Sequence, residues 1–118
     1  MKVREIKEVL GSKLIVGSEK ALEREVLYAC GSDLMSDVLA FVKEQTVLLT
    51  GLTNPQVIRT AEMLDVSAIV FVRGKKPTKD IIDMAIERDI VLLSTDYTLF
   101  EACGKLYQAG LRGRKDGE

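Results

Sequence analysis

The chain has 118 residues, 47% of them hydrophobic and 30% charged, with two prolines, which is room for one core of ordinary domain size and too little for two. Seventeen basic against 18 acidic side chains leave a net charge of −1, so no global field draws in nucleic acid or an anionic membrane surface. Histidine is absent, which excludes an imidazole general base, the Ser-His and Cys-His nucleophile pairs and the commonest zinc ligand.

Val3, Ile6, Val9 and Leu10 recur at helical spacing and Gly11 follows, predicting a short first helix with a glycine stop. Leu14-Ile15-Val16 is a brief apolar run closed by Gly17. Residues 26–30 (Val-Leu-Tyr-Ala-Cys) are continuously apolar and read as a strand buried on both faces, ended by Gly31-Ser32-Asp33. A helix follows, with Leu34, Met35, Val38, Leu39 and Val42 as its inner stripe and Ser32 or Asp33 as its cap.

From here the pattern becomes regular. Residues 46–50 form a buried strand turned by Gly51, and Asn54-Pro55 opens a helix with a capping side chain and Pro at the first position. Val57, Ile58, Ala61 and Leu64 are its inner face. Residues 68–72 are the next strand, 73–78 a loop, and Ile81, Ile82, Ala85 and Ile86 the inner face of another helix. A last strand spans 90–93. Thr98 and Glu101 have the spacing of a capping box before a helix carrying Ala102, Cys103, Leu106, Tyr107 and Ala109, with Gly110 at its C-cap.

Three apolar runs alternating with three amphipathic helices are the signature of βαβ units, whose right-handed crossovers make the strands parallel. The expected architecture is a single-domain, three-layer α/β sandwich with a mostly parallel sheet. Pattern leaves open the sheet order and whether residues 14–16 join it. The domain is expected to end at residue 111. Residues 112–118 hold three basic side chains and no apolar one, which predicts a flexible basic tail.

In open parallel sheets ligands bind beyond the carboxyl ends of the strands. That rule selects Ser32, Asp33, Thr50, Gly51, Thr53, Asn54, Arg73, Gly74, Ser94, Thr95 and Thr98 as candidate ligand-binding residues. Their hydroxyls and glycines allow close approach of an anion to backbone N–H groups. The same residue types are also what any strand-to-helix turn needs as caps. Arg73, Lys75 and Lys76 are read either as phosphate holders over Gly74 or as a solvated loop, for their spacing matches neither a dinucleotide fingerprint nor a P-loop. Asp33 and Asp37, four apart, suit a hard cation or simply an acidic helix start.

No catalytic residue, cofactor or metal site is expected: a Ser or Thr nucleophile without His needs a desolvated Lys, and the loop lysines are in polar surroundings. Cys30 and Cys103 form no C-x-x-C and read as buried thiols, which suits a reducing cytoplasm. No apolar run is long enough to span a bilayer.

Taken in order, residues 22–26 (Leu-Glu-Arg-Glu-Val), 32–40 (Ser-Asp-Leu-Met-Ser-Asp-Val-Leu-Ala), 47–51 (Val-Leu-Leu-Thr-Gly), 68–74 (Ala-Ile-Val-Phe-Val-Arg-Gly) with Pro77, and 91–95 (Val-Leu-Leu-Ser-Thr) resemble the DRTGG domain. That family is similar to the N-terminal domain of bacterial HPr kinase/phosphorylase. The name-giving motif is mostly replaced. The family's Gly-Asp-Arg aligns with Gly51-Leu52-Thr53, and its Thr-Gly-Gly with Val72-Arg73-Gly74. Such domains stand beside CBS domains in some inorganic pyrophosphatases and ahead of the catalytic part in some phosphotransacetylases.

The resemblance implies a stand-alone, non-catalytic regulatory or protein-interaction module that senses or assembles with a metabolic enzyme or kinase and forms a homodimer. The alternative is a binder of a nucleotide or phosphorylated metabolite through the strand-end loops. The expected setting is cytoplasmic, with neither nucleic acid nor membrane as partner.

Overall fold

The structure is a computed structural model that describes residues 1–42 and 44–113. In chain order its elements are α1 (Val3–Val9), β1 (Lys13–Val16), a 3₁₀ turn (Ala21–Glu23), β2 (Tyr28–Gly31), α2 (Met35–Phe41), β3 (Thr46–Thr50), α3 (Pro55–Leu64), β4 (Ala68–Phe71), α4 (Lys79–Glu87), β5 (Val91–Ser94) and α5 (Leu99–Gln108). One five-stranded sheet has the order β1-β5-β4-β3-β2. β2 to β5 are parallel neighbours, and β1 closes the far edge antiparallel to β5, with a register irregularity between Leu14 and Val16. The mostly parallel α/β sandwich read from the sequence is the observed fold, and the question of residues 14–16 is answered.

The three layers follow from the strand period of two. Val47, Leu49, Ala68, Val70, Val91 and Leu93 face one side, where they pack with Val3, Ile6 and Leu10 around α1 and Ala102 and Leu106 of α5. Leu48, Ile69, Phe71 and Leu92 face the other and meet Met35 and Val38 of α2, Val57, Ile58 and Ala61 of α3, and Ile81 and Ala85 of α4. Every residue of β3, β4 and β5 is buried, as sheets covered on both faces require. The exposed surface of 6423 Å² agrees with the roughly 6,400 Å² that surface scaling gives for this mass.

Several local expectations need correction. β2 is an edge strand with Tyr28, Ala29 and Cys30 half-buried and Gly31 exposed, not one covered on both faces. Neither Ser32 nor Asp33 caps α2: its N-cap is Leu34, and the helix falls one residue short of the predicted stripe at each end. Of that stripe only Met35 and Val38 are buried, while Leu34 and Leu39 are exposed, since α2 meets only the outer rim of the sheet. Asn54 makes no capping hydrogen bond, although Pro55 does open α3. Ile86 points outward, one position past the face of α4 that touches the sheet.

Glycine stops behave as read. Gly11 and Gly110 adopt φ of +55° and +113° after α1 and α5. Of the predicted tail, Arg112 is bonded to the sheet edge: its carbonyl accepts the Ala29 N–H at 2.9 Å, and its guanidinium lies 3.8 Å from the Tyr107 ring centroid. Residues 114–118 lie outside the described residues.

Candidate functional site

Parallel pairing brings Gly31, Thr50, Phe71 and Ser94 to the same end of the sheet, where the four strand-to-helix loops meet. This is the end at which the open-sheet rule expects a ligand. The loops are laced to each other in two pairs. Asp33, leaving β2, accepts the Gly51 N–H at 2.6 Å and the Thr50 hydroxyl at 3.1 Å with a single carboxylate oxygen, so it ties the β2 loop to the end of β3. Thr50 Oγ1 in turn accepts the Leu52 N–H at 3.2 Å. Since α2 begins only at Met35, Asp33 and Asp37 share no helical face. The cation reading of that pair is not supported by the geometry.

The second pair joins β4 to β5. Arg73 and Gly74 both have left-handed φ, +57° and +66°, and this turn aims their N–H groups at the carbonyls of Tyr97 (2.7 Å) and Thr95 (2.8 Å). The Ser94 hydroxyl donates to the Lys75 carbonyl at 2.9 Å and the Thr95 hydroxyl to the Leu10 carbonyl at 2.9 Å. Thr98 caps α5 by accepting the Glu101 N–H at 3.3 Å, one half of the capping box that the sequence predicts; the return bond to the Glu101 carboxylate is not made among the described residues. Ser32 accepts the Leu34 N–H at 3.0 Å, a local turn. Thus Ser32, Asp33, Thr50, Ser94, Thr95 and Thr98 all have partners within the fold. Thr53 is half-buried and Asn54 exposed, and neither side chain joins this lacing.

Arg73 is the exception. Its backbone is fixed by the turn, its side chain is exposed, and among the described residues it makes no ion pair. A Cβ built on Gly51 would come 2.5 Å from Arg73 Nη2 and 3.4 Å from Asp33 Oδ1, so the guanidinium reaches across from β4 and rests over that glycine. Gly51 aligns with the glycine of the family's Gly-Asp-Arg, and in this chain the guanidinium over it is delivered from the next loop by Arg73. Linear sequence hides the contact because Gly51 and Arg73 are far apart along the chain. Asp96 was also missed: its Oδ1 would lie 3.1 Å from a Cβ on Gly74.

The thiols are half-buried, less enclosed than the sequence suggested. Burial pushes the Cys103 thiol up from its ordinary pKa, and burial with lesser contributions from Cys103 and Asp37 does the same for Cys30. Neither is poised as a nucleophile, which needs a lowered value.

The family model of the DRTGG domain matches residues 5–109. The chain belongs to the DRTGG domain family. No curated protein matches it. Among solved structures it is similar to the CBS and DRTGG domains of the regulatory region of Clostridium perfringens pyrophosphatase, a crystal structure in complex with the activator diadenosine tetraphosphate. The superposition has a TM-score of 0.76 at 19% identity and covers 98% of this chain and 51% of that one. The chain therefore spans about half the length of this neighbour, and the likeness is one of fold.

Proposed function

We propose that this DRTGG domain is a non-catalytic regulatory module that works by association, pairing with a copy of itself and with a metabolic enzyme or kinase in the cytoplasm. The observation that carries the reading is the internal use of the strand-end groups. The Asp33 carboxylate and the hydroxyls of Thr50 and Ser94 bind the loops to one another, and the Thr95 hydroxyl binds the end of α1. A group held in this way serves rigidity rather than proton transfer, which requires a free acid or base within reach of a substrate.

Apolar surface supports association. Phe100 is 83% exposed and Phe41 58%, with Leu27, Leu34 and Leu39 exposed around β2 and α2. Apolar side chains grouped on one element, as Leu34, Leu39 and Phe41 are at α2, suit an interaction surface, whereas apolar residues scattered singly do not. Self-association makes the melting temperature depend on concentration. The expected result is a melting temperature that climbs across a hundredfold dilution series read upward; a flat series sinks the homodimer.

A second reading is favoured by Arg73, whose guanidinium has no ion-pair partner among the described residues and lies at the sheet end where anions bind. The regulatory region that shares this fold was solved with a dinucleotide polyphosphate. A thermal-shift series with diadenosine tetraphosphate, ATP and acetyl phosphate tests it, because a ligand at 100 times its Kd stabilises the fold by about 2.7 kcal/mol. A shift that disappears in Arg73→Ala supports anion binding at the strand ends; no shift with any of the three leaves association as the function.

A further inference from the structure

A groove of about 230 Å³ lies between the edge strand and α2, lined by Tyr28, Cys30, Phe41, Val42 and Thr46 among others. None of its lining residues among the described ones carries a formal charge. Thr46 is 2% exposed, and its Oγ1 is a buried side-chain atom with no hydrogen-bond partner among the described residues. Buried hydroxyls are almost always bonded. The other threonine of β3, Thr50, obeys that rule through Asp33. Valine would fill position 46 with the same shape and equal strand preference, so packing alone does not call for the hydroxyl.

The geometry points to a binding site for a small uncharged molecule of single-ring size, its apolar body against Tyr28, Phe41 and Val42 and one hydroxyl or carbonyl oxygen bonded to Thr46 Oγ1. The size follows from the volume. An apolar cavity of about 150 Å³ takes up benzene, and drug-sized ligands need about 300 Å³ or more. The absence of charge follows from the lining, because an ion entering here loses water and gains no counter-charge. Phe41, exposed on α2, forms one wall of the groove, and the buried hydroxyl is reached only when such a wall moves aside. This site is separate from the strand-end loops, but it shares Phe41 with the surface proposed for pairing, so the Thr46 variants, which leave Phe41 in place, test it apart from that reading.

Two isosteric pairs test it: phenol against toluene as probes, and Thr46→Val against the unmodified chain. Binding is read by backbone amide NMR titration of the full chain at millimolar probe. The expected result is that phenol moves the signals of Tyr28, Cys30 and Thr46 and binds at least about fivefold more tightly than toluene. In Thr46→Val the preference falls to within about twofold, while Thr46→Ser, which keeps the hydroxyl, retains it. If neither probe perturbs these residues, or if the phenol preference survives in Thr46→Val, the inference is overturned.

Discussion

Gly31 ends β2 beneath α5, and a Cβ placed there would come 2.5 Å from Cys103 Sγ and 3.1 Å from Leu99 Cδ1. The normal separation for such contacts is near 3.5–4.0 Å, so Gly31→Ala forces the thiol, the leucine or the strand end to move by about 1 Å. Its φ is outside the left-handed region, so no backbone strain confuses the outcome. Overpacking of this kind costs about 1–3 kcal/mol, offset by about 0.4–1 kcal/mol from the smaller entropy of the unfolded chain. A net loss of about 1–2 kcal/mol follows, a fall of roughly 4 °C or more in melting temperature for a domain of this size. Cys103→Ala removes the nearer obstacle. In a urea-denaturation cycle the double variant should be less destabilised than the sum of the single ones by about 1 kcal/mol. Additive losses, or a neutral Gly31→Ala, would refute the claim that α5 packs directly on this strand end and that the missing side chain is what permits it.

Other predictions follow from the loop geometry. Asp33→Ala leaves the Gly51 N–H and Thr50 hydroxyl without their acceptor and should cost about 1–2 kcal/mol in denaturant unfolding, with Asp33→Asn costing less because its amide oxygen still accepts. Asp65 ends α3 with φ +53° and a carboxylate at the negative end of the helix dipole; Asp65→Gly relieves both and should raise stability by about 0.5–1 kcal/mol by the same assay. The raised thiols give a pH dependence. In the unfolded chain Cys30 and Cys103 ionise near pH 8.5, in the folded chain at higher pH. Their contribution is therefore intact below about pH 8.5 and declines as pH rises toward the folded values. Alkylation by iodoacetamide at pH 8 should be at least about tenfold slower folded than in urea, and equal rates would contradict the burial assigned to them.

The strands and most helices were legible because burial on both faces of β3, β4 and β5 leaves unbroken apolar runs that nothing but a covered sheet accommodates. The run 26–30 looked the same, yet it is an edge: hydrophobicity reports how much a strand wants cover, not whether a neighbour supplies it. The stripe over α2 misled for the same reason, since Leu34 and Leu39 are apolar and exposed. At the strand ends the sequence left the use of its polar residues open between caps and ligand contacts. Asp33, Thr50 and Ser94 bond between loops while Thr98 caps α5, and linear spacing carries no sign that Asp33 reaches Gly51 or that Arg73 covers it. Gly51 had a signal only in combination with Arg73, and Thr46 had none, because an orphaned hydroxyl becomes visible only when every neighbour of the buried atom is known.

The central claim is that this DRTGG domain acts by pairing through its apolar surface rather than by chemistry at its strand ends. Multi-angle light scattering on the full chain tests it most directly. The account predicts a solution mass of twice the 13.1 kDa chain that reverts toward the single chain when Phe41 and Phe100 are both replaced by Ser. A mass of one chain at every concentration, unchanged by those substitutions, would contradict it.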